Sequence, residues 1–524
     1  MSTQTVSSAS PSMPLAQRRS GRAPALIAVL LAVFVVPMSI SGTAVALPGI
    51  GAATHAALAP LQWVVNAFNV AFACFTLVWG SVADIIGRVR AFAAGVALYA
   101  AASLGSAFAT DVLWLDGARA LAGIGGAAIF SCGAAILSTV FEGPARARAF
   151  ALFGTVAGVG VALGPSLSGV LAQTLGWRWV FAAPAVVLVA VLIALPTVSR
   201  AMPATPSTGA RIDVAGSTLF VVAMVLLTTA IVQGSQWGWG SVGVVALFAG
   251  ALVVLAVFAY VENRREHPML DLGVLRNRRF VGLCLVPVAG SIGFVTMLTY
   301  LPSYLTAVTG RDTGAAGLVM VLLTAPVLVC PMLAARLVTR GVPALTLIHV
   351  SLGCLVVGDI ALLLFSPDVA IAVVALPMIV TGAGMGLAAG LVDGQALAEV
   401  DPAKAGMAAG FLNTLRLGSE AVAVAVYGSA LATALGSRIS GSIGAHAGAG
   451  HADLVAGQAA GGDLARAAEV SGATDRQGFA DFLTRAYDSA FHSVLLGLAV
   501  ACLVLCAVVL VLLRGGNRPE QHAA

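Results

Sequence analysis

Fourteen long apolar runs follow one another along this chain, and they restrict its fold more than any other feature. Each run has about the 20 apolar residues that a helix needs to cross the hydrocarbon core of a bilayer. The runs lie near 25–47, 62–82, 91–109, 112–138, 148–171, 179–197, 215–233, 241–261, 281–305, 315–335, 344–365, 369–391, 405–434 and 489–513. They predict an all-α membrane protein with about fourteen transmembrane helices.

The composition indicates that lipid surrounds most of the chain. Only 9% of the residues are charged and the mean hydropathy is +0.99, whereas a soluble domain carries roughly 25% charged residues. The net charge of +5 does not indicate a nucleic-acid partner, because the charged residues occupy short loops rather than one face. The abundance of Ala, Gly and Val, with nearly all basic residues being Arg, is typical of a high-GC bacterial gene.

The first apolar run follows Arg18, Arg19 and Arg22, an arrangement that resembles a signal peptide. The run extends to about Leu47, however, which is long for a signal-peptide core, and further spans follow it. We therefore interpret it as a signal anchor and the first transmembrane helix.

The basic residues predict the orientation in the membrane. With the N-terminus inside, the inside loops contain about three times as many basic residues as the outside loops. Most of the outside ones lie in one long loop, where the positive-inside rule is weak. An even number of spans, with both termini cytoplasmic in a bacterial inner (plasma) membrane, satisfies this bias.

The chain lacks the common signatures of enzymes and metal sites. All seven cysteines fall inside apolar runs, which predicts no disulfide framework and no metal cluster. There is no HExxH motif, and Lys404 lies in no GxxxxGK loop. We therefore expect no enzyme activity, no cofactor, no metal and no ATP-driven transport by this chain.

The segment GSVADIIGRVR, from Gly80 to Arg90, occupies the short inside turn between the second and third spans. Gly80 and Gly87 permit a tight turn and close contact between helices. Asp84 can cap the start of a helix or pair with Arg88 or Arg90. The alternative is an ordinary charged turn between two spans.

Arg119 lies inside the apolar segment LDGARALAGIGGAA, from Leu115 to Ala128. An arginine in the hydrocarbon costs about 2.5–3.5 kcal/mol on insertion scales, so we expect this side chain to face the bundle interior and to have a partner. Asp116, one turn earlier, is the candidate partner. The alternative is an arginine close to the outer interface that extends its charged end to water.

Small residues form a stripe along GVGVALGPSLSG, from Gly158 to Gly169. Gly160, Gly164 and Gly169 make one flat helix face, and Pro165 is expected to kink the helix. The alternative is close helix packing that has no bearing on the direction of transport.

These three segments resemble motifs of the major facilitator superfamily. They are similar, in order, to the signature loop that latches the cytoplasmic face, to the fourth-helix motif of proton-coupled members, whose arginine matches Arg119, and to the antiporter motif of exporters. Five further segments resemble the fourteen-span drug:proton antiporter family. They are QWVVNAFNVAF at 62–72, GWRWVF at 176–181, QGSQWGWG at 233–240, ENRREHPMLDLGVLRNRRF at 262–280 and AGMAAGFLNTLRLGSEAVAVAV at 405–426.

The resemblance implies the major facilitator fold, with two six-helix bundles and two inserted helices. The implied division is a cytoplasmic tail at 1–24, a first bundle at 25–200, an inserted pair with a cytoplasmic hinge loop at 201–280, a second bundle at 281–513 and a cytoplasmic tail at 514–524. Within the second bundle, an extracytoplasmic loop is expected at 435–488. Its end, GFADFLTRAYDSAF, is expected either to lie along the membrane interface or to be a flexible loop.

The chain departs from the family pattern at several positions. Ser39 stands where drug antiporters commonly have an aspartate, and Ala44 where they have an asparagine. Ala122 replaces the usual glutamine of the fourth-helix motif, and Ser168 replaces a glycine of the antiporter motif. The missing aspartate makes both multidrug activity and the usual route of proton coupling uncertain, so other acids must be considered.

Two acids remain within the predicted spans as candidate proton carriers, Asp359 and Glu420. Glu420 stands where the family often has glycine, and it follows Arg416 by four residues, so the two can pair on one helix face. Asp359 has no evident local partner and is the preferred proton carrier. Asn413 is assigned to the same polar cavity, whereas Asp393 is interpreted as a loop residue.

The resemblance implies a secondary active transporter that exports a small organic compound, of the drug or multidrug type, in exchange for protons. Arg119 would stabilise a polar cavity, and the proton gradient would supply the energy. The expected partners are the lipid bilayer, the small-molecule substrate and protons, with a periplasmic adaptor left open. The main alternative is a dedicated exporter of a metabolite or siderophore on the same fold. A membrane enzyme and a channel are less well supported.

Overall fold

The computed structural model of the protein describes residues 22–54, 58–201, 213–265, 268–311, 313–367, 369–442 and 476–514, with six single residues between 455 and 471. These ranges contain fourteen helical spans and no β-strand. In chain order the spans are α1 (Arg22–Thr54), α2 (Leu58–Ile86), α3 (Arg88–Ala107), α4 (Val112–Val140), α5 (Gly143–Thr174), α6 (Trp179–Ala201), α7 (Val214–Trp237), α8 (Val242–Glu262), α9 (Arg278–Ala307), α10 (Thr313–Thr339), α11 (Ala344–Ala361), α12 (Ile371–Ala398), α13 (Ala405–Ser442) and α14 (Arg476–Arg514).

Thirteen of the described spans are long and apolar enough to cross a bilayer. The remaining one, α5, is bent by 42° between Val161 and Leu163, and it completes fourteen if it is counted as one span. Pro165 explains the bend, because a proline ring inside a helix clashes with the carbonyl four residues earlier, here that of Val161. The sequence predictions of an all-α membrane fold and of a kink at Pro165 are confirmed.

The helices pack as two groups of six with one extra pair. In the first group α1 packs on α5, α2 on α4, and α3 on α4 and α6. In the second group α11 and α10 both pack on α12, while α14 packs on α9 and α13. The two groups meet where α2 contacts α13 and where α5 contacts α10. The pair α7–α8 packs on itself and contacts the rest through α7, against α2 and α13.

We call α1–α6 the first bundle and α9–α14 the second bundle. Consecutive spans run in opposite directions, so the turns after α2, α4, α8, α10 and α12 share one face of the molecule. This face carries the arginine-rich turns, and we call it the basic face. Its location on the cytoplasmic side remains the prediction of the charge pattern.

Both sequence interpretations of the segment 479–487 are wrong. This segment is neither an interfacial helix nor a loop, because it forms the first turns of α14, which begins at Arg476. Phe479, Leu483 and Tyr487 are fully buried. Tyr487 and Phe491, one turn later, pack on Tyr304 of α9. The helical spacing of these aromatic residues therefore marks a face packed on the second bundle, and α14 extends well beyond the thickness of the hydrocarbon.

Candidate functional site

Asp84, near the end of α2, connects the two bundles at the basic face. Its carboxylate accepts hydrogen bonds from the backbone N–H groups of Gly406, at 3.1 Å, and Met407, at 2.9 Å. These residues begin α13, whose first N–H groups have no partner within their own helix. Asp84 of the first bundle is therefore a helix cap for the second bundle, where its negative charge also complements the helix dipole.

Arg88, at the start of α3, reinforces this connection. Its guanidinium lies 3.4 Å from the Asp84 carboxylate and donates to the carbonyl of Pro402, just before α13. Its other terminal nitrogen donates to the Thr139 hydroxyl of α4. We call Asp84, Arg88 and the 402–407 segment the latch. Arg90 is exposed and lies beyond these contacts.

Two glycines make the geometry of the latch possible. Gly87 has φ +96°, which favours glycine and allows the sharp turn from α2 into α3. A Cβ atom at Gly80 would overlap the carbonyl of Gly406, so glycine is required where α2 crosses α13. The predicted roles of Gly80 and Gly87 are confirmed, and Asp84 both caps a helix and pairs with Arg88.

The loop before α9 lies over the latch. The Ser81 hydroxyl of α2 donates to the carbonyl of Met269 at 2.8 Å. The Lys404 ammonium donates to the Asp271 carboxylate at 2.6 Å, and this hydrogen bond lowers the pKa of Asp271. The loop thus contacts the first bundle through Ser81 and the start of α13 through Lys404.

Arg119 of α4 is enclosed within the first bundle, with 1% of its surface exposed. Its Nε donates to the carbonyl of Val64 at 3.0 Å, and one terminal nitrogen donates to the Ser39 hydroxyl at 3.2 Å. The guanidinium lies 4.4 Å from the centre of the Phe68 ring, which provides a cation–π contact. The prediction that Arg119 faces the bundle interior is confirmed, and an arginine extended to the interface is excluded.

The predicted pairing of Asp116 with Arg119 is wrong. No carboxylate of the described residues lies within 4.0 Å of Arg119. Asp116 is half-buried, and its Oδ1 makes no hydrogen bond to the described part of the chain. Arg119 instead points across the bundle, where it donates hydrogen bonds to Val64 and Ser39 on neighbouring helices. These hydrogen bonds replace the expected ion pair within α4.

The second bundle contains a polar group made by α12 and α13. Arg416 lies 2.7 Å from the Asp393 carboxylate and donates to the Asn413 side chain at 3.1 Å. The side chain of Asp393 is 7% exposed and that of Arg416 is 21% exposed, so the ion pair is largely removed from water. Asn413 is thus a partner of Arg416, and its assignment to a polar cavity stays a prediction.

Two sequence interpretations of this region are wrong. Arg416 pairs with Asp393 rather than Glu420, and Asp393 is not in a loop. Asp393 lies in a short helix, Leu391–Ala398, that follows a break in α12 at Gly390, where φ is +76°. The sequence did contain two signals of this arrangement: glycines near the end of the predicted span 369–391, which can break a helix, and the acid Asp393 directly after it. Broken helices often mark binding sites in transporters.

Asp359 of α11 is fully buried inside the second bundle. Neither carboxylate oxygen has a hydrogen-bond partner of normal geometry among the described residues, and no described cation lies within 4.0 Å. A Cβ atom at Gly293 of α9 would overlap one of these oxygens. Residues Ser291–Val295 form a π-helical turn at this point, an irregularity that often occurs at functional sites.

Glu420 lies one turn beyond Arg416 on α13 and is half-buried. The neighbouring Ser419 hydroxyl lies 2.9 Å from that of Ser291, at the start of the π-helical turn. This part of α13 therefore lies beside the irregular part of α9, on which Asp359 also packs. Asp359 and Ser419, the neighbour of Glu420, therefore both contact the same turn of α9.

The antiporter-like stripe on α5 packs against α1. A Cβ atom at Gly160 would lie 2.7 Å from the carbonyl of Phe34, and one at Gly164 would overlap Ser41. Gly169, further along, would contact Val45 only at 3.7 Å. Ser168 is accommodated because Gly42 faces it, since a Cβ atom at Gly42 would overlap the Ser168 hydroxyl. The departure from the family pattern at Ser168 is thus compensated on α1.

A groove of about 910 Å³ lies between α7 and the second bundle. Phe220 and Met224 of α7 line one side, and Leu285, Phe411, Tyr427 and Leu498 of α9, α13 and α14 line the other. Most of its surface is apolar, and the polar exceptions include Thr228, Thr414, Ser419 and Ser493. The inserted pair therefore forms one wall of a cavity large enough for a small organic molecule.

Comparison with known families and proteins agrees with this architecture. The profile of the Major Facilitator Superfamily matches residues 29–424. The multidrug resistance protein Stp of Mycobacterium tuberculosis is 29% identical over 411 residues, which cover 78% of this chain and 75% of that protein. The cephamycin export protein CmcT of Amycolatopsis lactamdurans is 32% identical over 421 residues, which cover 80% and 86% respectively.

A solved structure with the same fold is that of the human organic anion transporter MFSD10. It superimposes with a TM-score of 0.60 over 93% of this chain and 99% of that chain, at 15% sequence identity. At this identity the similarity is evidence of a shared fold, and it agrees with the two groups of six helices described above.

Proposed function

The chain belongs to the major facilitator superfamily, and from that premise we propose that it exports drug-like small organic molecules across a bacterial plasma membrane in exchange for protons. Members of this kind work by rocking one bundle against the other around a site between them. The names of the relatives Stp and CmcT, a multidrug resistance protein and a cephamycin export protein, support export of such compounds.

The latch is the observation that carries the proposal. Its contacts between the bundles are hydrogen bonds and one ion pair rather than a continuous apolar core. Such contacts are worth about 1 kcal/mol each and can be broken and remade during a transport cycle. The contacts of the latch are formed in the structure, so the basic face is closed. Opening the basic face would require Asp84 to leave the start of α13.

We propose that Asp359 binds the transported proton, with Glu420 as the second candidate. A buried carboxylate without a cation is costly in its ionised form, so such a site holds the neutral acid more readily. The π-helical turn of α9 packs directly on Asp359. Loss of the proton would place a charge against this turn, and a change in α9 would then couple the proton to the movement of the second bundle.

We place the basic face, and both chain termini, in the cytoplasm. The arginine-rich turns support this orientation through the positive-inside rule. Proton release would then follow opening of the latch toward the cytoplasm. Tags at the two termini should react with membrane-impermeant reagents only after the cells are opened, and a terminus that reacts in intact cells would contradict the orientation.

A dedicated exporter of a metabolite or siderophore is the second candidate. Ser39, rather than an acid, lies beside Arg119, so the first bundle lacks the carboxylate that drug antiporters commonly have there. CmcT, whose name refers to one class of compound, also fits this candidate.

Inside-out membrane vesicles provide the test. We expect accumulation of puromycin or ethidium that depends on an imposed pH gradient and that stops when nigericin collapses the gradient. Asp359→Asn should remove this accumulation, whereas Glu142→Gln, which changes an exposed acid before α5, should not. Accumulation of neither compound, together with pH-dependent accumulation of a siderophore, would favour the dedicated exporter. Accumulation indifferent to the gradient would contradict proton coupling.

A further inference from the structure

The surroundings of Arg119 contain an excess of hydrogen-bond donors that the proposed transport cycle does not use. Arg119 carries five N–H groups and no acceptor. Two of its nitrogens donate to Val64 and Ser39, while the third, a terminal nitrogen, has no partner among the described residues. The charge is thus buried with neutral acceptors only.

Two hydroxyl groups share this space with Arg119. The Tyr99 ring of α3 packs on Phe68, whose ring covers the Arg119 guanidinium, and the Tyr99 hydroxyl has no hydrogen-bond partner among the described residues. The Ser39 hydroxyl accepts from Arg119, which leaves its own proton free to be donated. Tyr99 is fully buried and Ser39 is 3% exposed.

The cluster therefore contains one fixed positive charge and more N–H and O–H donors than acceptors, and its acceptors are all neutral: the Val64 carbonyl and the hydroxyl oxygens. Buried polar groups normally find partners, and a buried charge is normally paired. A negatively charged acceptor satisfies both requirements at once. A further donor, or a cation, would satisfy neither.

The enclosure of the cluster restricts the size of that acceptor. The ring of Phe68 covers one side of the guanidinium, and Phe181 of α6 lies 5.6 Å away on another. Phe68 and Phe181 are themselves buried. Because aromatic rings enclose the guanidinium on two sides, the site favours a small anion over a drug-sized one.

We propose that Arg119, Tyr99 and Ser39 form a binding site for a small monovalent anion, chloride in the cell, which acts as the counter-ion of the first bundle. The site lies between α1, α3 and α4, which are brought together inside that bundle. Because a bound anion would stabilise the folded bundle, chloride dependence should appear in stability as well as in transport.

The experiment measures thermal unfolding of the full-length protein in detergent, in sodium chloride, bromide, acetate or gluconate at equal sodium concentration. We expect chloride and bromide to raise the melting temperature by about 3 °C relative to gluconate. Equal melting temperatures in all four salts would overturn the proposal. Equal stabilisation by acetate would also overturn it, because it would show that the site is not restricted to monatomic ions.

Two variants locate the site. Tyr99→Phe removes one donor with little change in shape, so we expect the apparent chloride affinity to fall about tenfold. Tyr260→Phe, at an exposed tyrosine of α8, is the matched control and should leave it unchanged. Ser39→Asp places a carboxylate beside Arg119 and should make stability in gluconate equal to that of the original protein in chloride, with no further effect of chloride.

Retention of the full chloride effect in both Tyr99→Phe and Ser39→Asp would overturn the assignment to these residues. Should Ser39→Asp fail to fold, Tyr99→Phe and a direct measurement remain. In crystals grown with bromide, we expect an anomalous-scattering peak beside the Arg119 guanidinium. Peaks confined to the protein surface would overturn the proposal.

Discussion

The two bundles differ in the sign of the buried ionisable group that has no ion-pair partner. The first bundle encloses a cation, Arg119, with no carboxylate of the described chain within 4.0 Å. The second bundle encloses an acid, Asp359, with no cation within the same distance among the described residues, and it pairs its own interior arginine, Arg416, with Asp393. The isolated groups therefore differ in sign.

This difference indicates that the two bundles have different electrostatic roles. An arginine stays charged at any physiological pH, so the first bundle holds a permanent charge. A buried carboxylic acid can exist in a neutral or a charged form, so the second bundle is where a proton can be taken up and released. The bundles meet at the latch, where Asp84 and Arg88 are local partners. Four predictions test or refine this comparison.

The largest effect is expected for Asp359→Asn. Asparagine retains the size of the side chain but cannot bind and release a proton, so pH-gradient-driven export should be lost. Counterflow exchange of substrate, which needs no net proton movement, should persist in proteoliposomes. Arg119→Gln should not reproduce this separation between driven export and exchange. Driven export at the original rate in Asp359→Asn would show that the second bundle carries its proton elsewhere, with Glu420 as the next residue to test.

Asp393→Asn should make the second bundle resemble the first, by leaving Arg416 without its carboxylate. Removing one partner of a buried ion pair costs about 3 kcal/mol. We therefore expect the melting temperature in detergent to fall by several degrees. The double variant Asp393→Asn with Arg416→Gln should recover much of the loss, because no unpaired charge then remains. A double variant less stable than Asp393→Asn alone would show that the ion pair is not the origin of the effect.

The latch joins the two bundles, so breaking it tests whether they move as separate bodies. Asp84→Ala removes the cap of α13, which costs about 1 kcal/mol, or roughly a fivefold shift away from the state with the basic face closed. We expect cysteine reagents applied at the basic face to reach an introduced cysteine at Thr76 about fivefold faster. Asp111→Ala, which removes the cap of α4 within the first bundle, is the matched control. Equal labelling rates in both variants would argue against a latch.

The smallest effect is expected for Lys404→Ala, which leaves Asp271 without its ion-pair partner. Both side chains are substantially exposed, at 49% and 34%, so the pair should contribute about 0.5 kcal/mol or less. The pKa of Asp271 is lowered by Lys404, so this stabilisation is present above the ordinary value of 3.8 and is lost as the pH falls below it. The melting temperatures of the two proteins should differ slightly at neutral pH and converge in acid. A difference of several degrees would place the loop before α9 among the main contacts of the basic face.

Much of the fold could be predicted from the chain alone. Runs of about 20 apolar residues leave a helix as the only way to satisfy the backbone within lipid, so the number of spans follows from their lengths. The turn at Gly87 and the kink at Pro165 were also predictable, because they follow from local backbone chemistry. The latch was predicted in part, since its position was evident but its partner on α13 was not.

The two errors in pairing charged residues share one cause. Asp116 was matched with Arg119, and Glu420 with Arg416, because residues three or four apart lie on one helix face. In the structure Arg119 contacts Val64 and Ser39 on other helices, and Arg416 contacts Asp393 across the break in α12. Helices in a bundle offer closer partners than the next turn of the same helix does. Spacing along one helix therefore could not identify the pairs.

The amino-acid sequence by itself determined that lipid surrounds the chain, where the helices lie and which residues carry charge within them. The length of an apolar run and the cost of burying a charge are local properties, so both can be judged from the sequence. Tertiary structure alone decided which of those charges are paired. The distance between Arg119 and Ser39, or between Asp359 and the turn at Gly293, depends on how separate helices cross. Electrostatic energy depends on such distances, so the contrast between the bundles exists only in the folded molecule.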